Sequence, residues 1–123
     1  MIGYVTLGTN DLARAAKFYD ALLATLGAGR LMEIGDRLIA WGAGPDSPAI
    51  GLTKPFDGQP ATAGNGTMVA LNLAKPEEVD ALHALALALG GTDEGAPGPR
   101  GDGFYAGYFR DPDGNKLNAF CMV

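Results

Sequence analysis

The sequence predicts an α+β fold of two βαβββ modules, whose mixed sheets curve into a barrel-like arrangement around a central cleft. Three observations predict it. A chain of 123 residues has the length of one ordinary domain. The order strand, helix, three strands can be traced twice along it. The two tracings are in register, because Tyr4 and Met68 in the leading strands lie 64 positions apart, as do Gly27 and Gly91, which stop the helices. Each half of such a repeat is a sheet with a helix on one face, so the other face needs a cover. Pairing the halves encloses a cavity.

The first half opens with Gly3-Tyr-Val-Thr-Leu7, whose alternation puts Tyr4 and Thr6 on one face and Val5 and Leu7 on the other. Asn10 or Asp11 supplies a capping oxygen for a helix with apolar positions Leu12, Ala15, Ala16, Tyr19, Leu22, Leu23 and Leu26, ended by Gly27. Its other side carries Asp11, Arg14, Lys17 and Asp20, a solvated face with weak ion pairs. Strands are expected at 30–34, at 37–41 across a Gly35-Asp36 turn, and at 49–53. A stretch rich in Gly, Pro, Ala and Thr from Lys54 to Gly66 separates this unit from the next. Module one covers about 1–57 and module two about 64–123 of a single domain.

The second half repeats the order. Residues 67–73 alternate as a strand, and Pro76 with Glu77 and Glu78 suits the first turn of a helix. Val79, Leu82, Leu85, Ala86 and Leu89 keep helical spacing up to Gly90-Gly91. A weak strand start follows at 91–94, then an aromatic strand at 104–110, joined to 116–122 across Asp111-Pro-Asp-Gly-Asn115. The Gly-rich segment 94–103 reads either as a lip over a ligand or as a surface loop. It lacks the Gly-Lys-Ser/Thr ending and the following helix of a phosphate-binding loop. Arg100 within it reads either as a partner for an anionic substrate or as a plain exposed arginine.

Composition narrows the function classes. With 47% hydrophobic and 19% charged residues the chain has the apolar surface to fold. A net charge of −5 with nine scattered basic residues argues against nucleic acid as a partner. No apolar run is long enough to span a bilayer and no signal peptide is evident, so no membrane partner and a cytoplasmic location are expected. Cys121, the one cysteine, suits a buried place in the last strand. His83, the one histidine, suits the boundary or surface of the second helix.

Tyr4 to Leu23 resembles the opening of the vicinal oxygen chelate superfamily, which holds glyoxalases, bleomycin resistance proteins and extradiol dioxygenases. Phe109-Arg-Asp-Pro-Asp-Gly-Asn-Lys-Leu-Asn118 resembles its closing hairpin. The resemblance implies a cleft where typical enzymes hold a divalent metal with histidine and carboxylate side chains and chelate a substrate's vicinal oxygens to it. The first ligand, commonly His, falls where this chain has Tyr4, and a second His falls at Met68. A third, commonly Glu, falls at Asn118, and a fourth falls in 50–53, where Thr53 offers only a hydroxyl. A phenol, a thioether and a neutral amide make a poor site for such an ion, so no metal and no cofactor are expected.

The alternation nevertheless turns Tyr4, Met68 and Asn118 toward the cleft, which makes them ligand-binding candidates, with Trp41, Tyr105 and Tyr108 as aromatic walls. Regular strand parity keeps Tyr105 and Tyr108 from pointing the same way. The resemblance also implies a homodimer. Three functions fit: a metal-free binder of a small organic ligand, a glyoxalase-type lyase, isomerase or dioxygenase on a small oxygen-rich substrate, and an interaction module with a collapsed cavity.

Overall fold

The computed structural model describes all 123 residues. Strand β1 (Tyr4–Gly8) leads into helix α1 (Leu12–Ala24), which Asp11 caps by accepting the Arg14 amide on its side chain at 3.0 Å. Gly27, at a φ of 73°, reverses the chain while the Ala28 amide reaches back to the Leu23 carbonyl at 3.0 Å. Strands β2 (Gly29–Ile34), β3 (Leu38–Gly42) and β4 (Ala49–Thr53) complete the module. The second copy comprises β5 (Val69–Asn72), α2 (Pro76–Ala88), β6 (Thr92–Pro99), β7 (Phe104–Arg110) and β8 (Lys116–Met122). The βαβββ order therefore stands in both halves, and the fold is α+β.

The chain divides into two compact units, Met1–Ala63 and Gly64–Val123. The first holds a mixed sheet in the order β1-β4-β3-β2, with β1 parallel to β4 and the remaining pairs antiparallel. Leu7, Leu52 and Ile39 line up across neighbouring strands and are buried toward α1, whose Phe18, Tyr19, Leu22 and Leu23 meet them. The predicted linker closes onto this unit through a reciprocal pair: Ala61 N donates to Asn10 Oδ1 at 2.7 Å, and Asn10 Nδ2 donates to Ala61 O at 3.1 Å. The second unit holds the equivalent sheet β5-β8-β7-β6. Leu117, Ala119, Cys121 and Phe109 are fully buried on its helix side with Val79 and Ala86 of α2.

Strand β2 has a register shift between Arg30 and Met32. Arg30 and Glu33 consequently share the helix side and are 3.0 Å apart, while Leu31 and Met32 both turn to the other face. Strand β6 has two such shifts, between Asp93 and Gly95 and between Gly95 and Gly98.

Four expectations need correction. The strand expected over 67–73 forms only over Val69–Asn72, which leaves Met68 just outside it. Much of the segment read as a Gly-rich loop is strand β6, bent where glycines and Pro97 interrupt regular pairing. His83 is buried, because its ring packs on Phe109 at 6.3 Å and its Nε2 lies 3.0 Å from Asp93 Oδ1 and 3.1 Å from the Tyr108 carbonyl. Asp20 belongs to no merely solvated face, since it binds both Arg30 and Trp41.

Candidate functional site

In the second unit, strand alternation sorts the candidate residues onto two faces. Tyr105, Gly107 and Phe109 face α2: the Tyr105 hydroxyl donates to Asp80 Oδ1 at 2.6 Å, and a side chain on Gly107 would meet the His83 ring. That hydrogen bond to Asp80 pushes the Tyr105 phenol above its ordinary value. Tyr108 has the opposite parity and pairs directly with Asn118, which in turn pairs with Ala70 of β5. Tyr108 and Asn118 therefore share the open face, away from α2, and Tyr105 does not join them.

Asn118 is 1% exposed, yet its Oδ1 has no hydrogen-bond partner. A buried amide oxygen left unpaired is costly, typically about 1–3 kcal/mol, so its retention calls for a purpose. Cations gather at Tyr108, its neighbour across the strands. The Arg100 guanidinium and the Lys116 ammonium each lie 5.5 Å from the centre of the Tyr108 ring. Arg110 Nε donates to Glu94 Oε1 at 2.6 Å, and this contact holds the Glu94 carboxyl below the usual range, with Lys116 adding to the effect. Farther along the same face Phe104 and Phe120 stack with centroids 5.4 Å apart.

The floor of this face is set by the Asp111–Asn115 turn, as the motif suggested. Asp111 Oδ1 accepts the amides of Asp113 and Asn115, each at 2.9 Å, and Gly114 takes a φ of 92°. This fixes the register of β7 on β8 and so brings Tyr108 opposite Asn118. On the other side of the sheet the Gly95 amide, and then His83, hold the Asp93 carboxyl below its ordinary value.

In the first unit Tyr4 is 71% exposed and pairs with Ala49, on the face away from α1. Leu31, Met32 and Ile34 are exposed on that same face. Trp41 is on the opposite side, 1% exposed, with its ring 5.7 Å from Tyr19 and its Nε1 donating to Asp20 Oδ1 at 2.8 Å. It packs the core beneath α1 and shares no face with Tyr4. Two surface grooves of about 660 and 470 Å³ lie by the start of α1, both bordered by Asn10, Asp36 and Lys54. Asp36 and Lys54 are already paired there at 3.2 Å, and none of the six candidates lines either groove.

The donor chemistry does not fit a divalent metal. At the positions where the resemblance puts ligands stand an exposed phenol, a thioether and a buried amide, and His83 is committed to Asp93 on the helix side. No three His, Cys, Asp or Glu side chains come together as a potential ligand set. Lys116, Arg110 and Glu94 are participants to which sequence reading gave no role. Lys116 was findable, because it stands two positions before Asn118 in one strand and so must share its face.

The comparisons agree with this architecture. The chain is 43% identical to a glyoxalase/bleomycin resistance protein from Albidiferax ferrireducens T118, with a TM-score of 0.91 over 100% of this chain and 99% of that one. A glyoxalase/bleomycin resistance protein/dioxygenase family enzyme from Burkholderia phytofirmans PsJN shares the fold at 20% identity and a TM-score of 0.80, covering 98% of each chain. Lactoylglutathione lyase from Agrobacterium tumefaciens shares it at 22% identity and a TM-score of 0.71, covering 98% of this chain and 92% of that one. No curated protein sequence matches. No helix is long and apolar enough to cross a membrane. The family model matches residues 1–119, and the chain belongs to the Glyoxalase/Bleomycin resistance protein/Dioxygenase superfamily.

Proposed function

We propose that this protein is a metal-free member of its superfamily that binds a small organic ligand. The observation that carries this reading is the unpaired, buried Oδ1 of Asn118 on the open face of the second sheet, at the last-strand position where metal-using members commonly carry Glu. A neutral amide there can accept a hydrogen bond from a ligand but is a weak ligand for a hard cation. We further propose a homodimer, supported by the exposed Tyr4, Leu31, Met32 and Ile34 on one face of the first sheet. Of the six candidates, Tyr108 and Asn118 form the binding group.

The test is metal content by inductively coupled plasma mass spectrometry, on protein purified without chelator and again after incubation with zinc, nickel, manganese and iron(II) followed by desalting. Near-zero metal in each sample is expected. About one metal per chain, lost on Asn118→Leu substitution, overturns the metal-free reading and favours a metal-dependent lyase, isomerase or dioxygenase. Light scattering during size exclusion tests the dimer, and a monomer at all concentrations removes it.

A further inference from the structure

We infer that the face of the second sheet away from α2 selects a planar, anionic ligand, an aromatic carboxylate in chemical class, with Arg100 holding the carboxylate and Lys116 adding positive charge beside Tyr108, while Asn118 Oδ1 accepts a hydrogen bond from the ligand. This deepens the binding reading above and rests on it. The chain carries a net charge of −5, yet this face gathers Arg100, Lys116 and Arg110, and Glu94 is bonded to Arg110 while feeling Lys116 only at longer range. The two other cations have no carboxylate within ion-pairing distance.

Arg100 is also held in place. Its Nη2 donates to the Ala96 carbonyl at 2.6 Å and its Nη1 to the Pro99 carbonyl at 3.4 Å, so backbone oxygens position the guanidinium without neutralising it. A methyl group on Gly98 would come within 3.2 Å of Nη1, and one on Gly95 within 3.4 Å of Nη2 and 3.3 Å of the Tyr108 ring. The bulged, glycine-containing β6 thus makes the space in which the guanidinium lies over Tyr108. A planar fork fixed this way, with donors left over, suits a carboxylate.

The rest of the face complements a flat apolar body. Phe120 and Tyr108 share the side of the sheet that carries Asn118, which pairs with Tyr108 in β7 and with Ala70 in β5. An N–H or O–H on the ligand would satisfy the amide oxygen that the fold leaves unpaired.

The experiment uses three isosteric probes: 2-naphthoate, neutral 2-naphthamide and cationic 2-naphthylmethylamine. Binding is measured by isothermal titration calorimetry and mapped by amide shifts, on wild type, Arg100→Gln, Lys116→Gln, Asn118→Leu and the control Lys75→Gln. The naphthoate is expected to bind about tenfold more tightly than the amide and the amine, with shifts at Tyr108 and Asn118. Arg100→Gln and Lys116→Gln are each expected to weaken the naphthoate about fivefold or more, leaving the amide and the Lys75→Gln protein unaffected. Asn118→Leu is expected to weaken naphthamide, which carries N–H donors, more than naphthoate. Equal affinity for the three probes, or a naphthoate indifferent to both charge removals, overturns the anionic preference while small-molecule binding stands. No binding of any probe overturns both readings.

Discussion

Asp20 and Trp41 are joined by a 2.8 Å hydrogen bond from the indole Nε1 to the carboxylate Oδ1, and the same carboxylate receives Arg30 on both oxygens at 2.8 and 2.9 Å. One acid on the helix therefore ties α1 to two strands and satisfies the only polar atom of a fully buried indole. Replacing Asp20 with alanine leaves that N–H without its acceptor and is expected to cost about 1–3 kcal/mol of stability. Urea unfolding followed by fluorescence of Trp41, the single tryptophan, measures it.

The same contact carries a pH dependence. The Arg30 hydrogen bond holds the Asp20 carboxyl below its ordinary value, so the contribution is complete above that ordinary value and is lost as pH falls through the lowered one. The stability gap between wild type and Asp20→Ala is expected to persist at neutral pH and to close below about pH 4. An unchanged gap across that range would show that the ionised form has no special part in the contact.

Gly91 follows the reversal that Gly90 makes at a φ of 104° beyond the second helix, at a place with no space for a side chain. A methyl group there would stand 2.7 Å from the Arg110 carbonyl and 2.8 Å from the Ala86 carbonyl, both backbone atoms that cannot swing aside. Gly91→Ala is expected to lower stability by about 1–3 kcal/mol. Gly44→Ala meets nothing within 4 Å and is expected to change it by less than about 0.5 kcal/mol. Thermal unfolding of the two variants side by side checks the contrast.

Asn118→Leu is expected to stabilise the free protein, because it removes a buried oxygen that makes no hydrogen bond while keeping a similar volume. The gain should approach the cost of an unpaired buried polar group, about 1–3 kcal/mol. Denaturant unfolding without ligand measures it. A loss of stability instead would mean that the amide serves the fold.

Tyr105 is expected to ionise above its ordinary value, since its hydrogen bond to Asp80 raises it. A phenol with a raised folded value contributes stability that is whole below the unfolded value and lost as pH rises through the folded one. Asp80→Asn should therefore bring the Tyr105 phenolate step to lower pH, read as the absorbance difference from a Tyr105→Phe protein, and remove part of the alkaline loss of stability. A titration unaltered by Asp80→Asn would sink this assignment.

Much of the fold was legible because its signals are local. The Asp111 turn, Pro76 at the helix start and the reversal at Gly27 each act within a few residues, and the predicted bounds of β4, β7 and β8 match the strands that form. Alternation also separated Tyr105 from Tyr108 and turned Tyr4 away from α1. Trp41 was the harder case. Whether an aromatic residue lines a cavity or fills a core depends on its partner, here Asp20, which is 21 positions away and on another element. Strand β6 was obscured for a different reason: Gly95, Pro97 and Gly98 read as loop residues, and only pairing with β7 makes that stretch extended. The cations around Tyr108 become visible once that pairing folds Arg100 back over the ring.

The register shift in β2 bears on edge-to-edge pairing between copies of the chain. An edge strand carrying Leu31, Met32 and Ile34 would offer a growing fibril a straight apolar template, but two successive side chains on one side break the regular pleat that templating requires. Deleting one of the pair would restore regular alternation with Arg30 still opposite Trp41, straighten the edge, and turn an interrupted border into a template for aggregation.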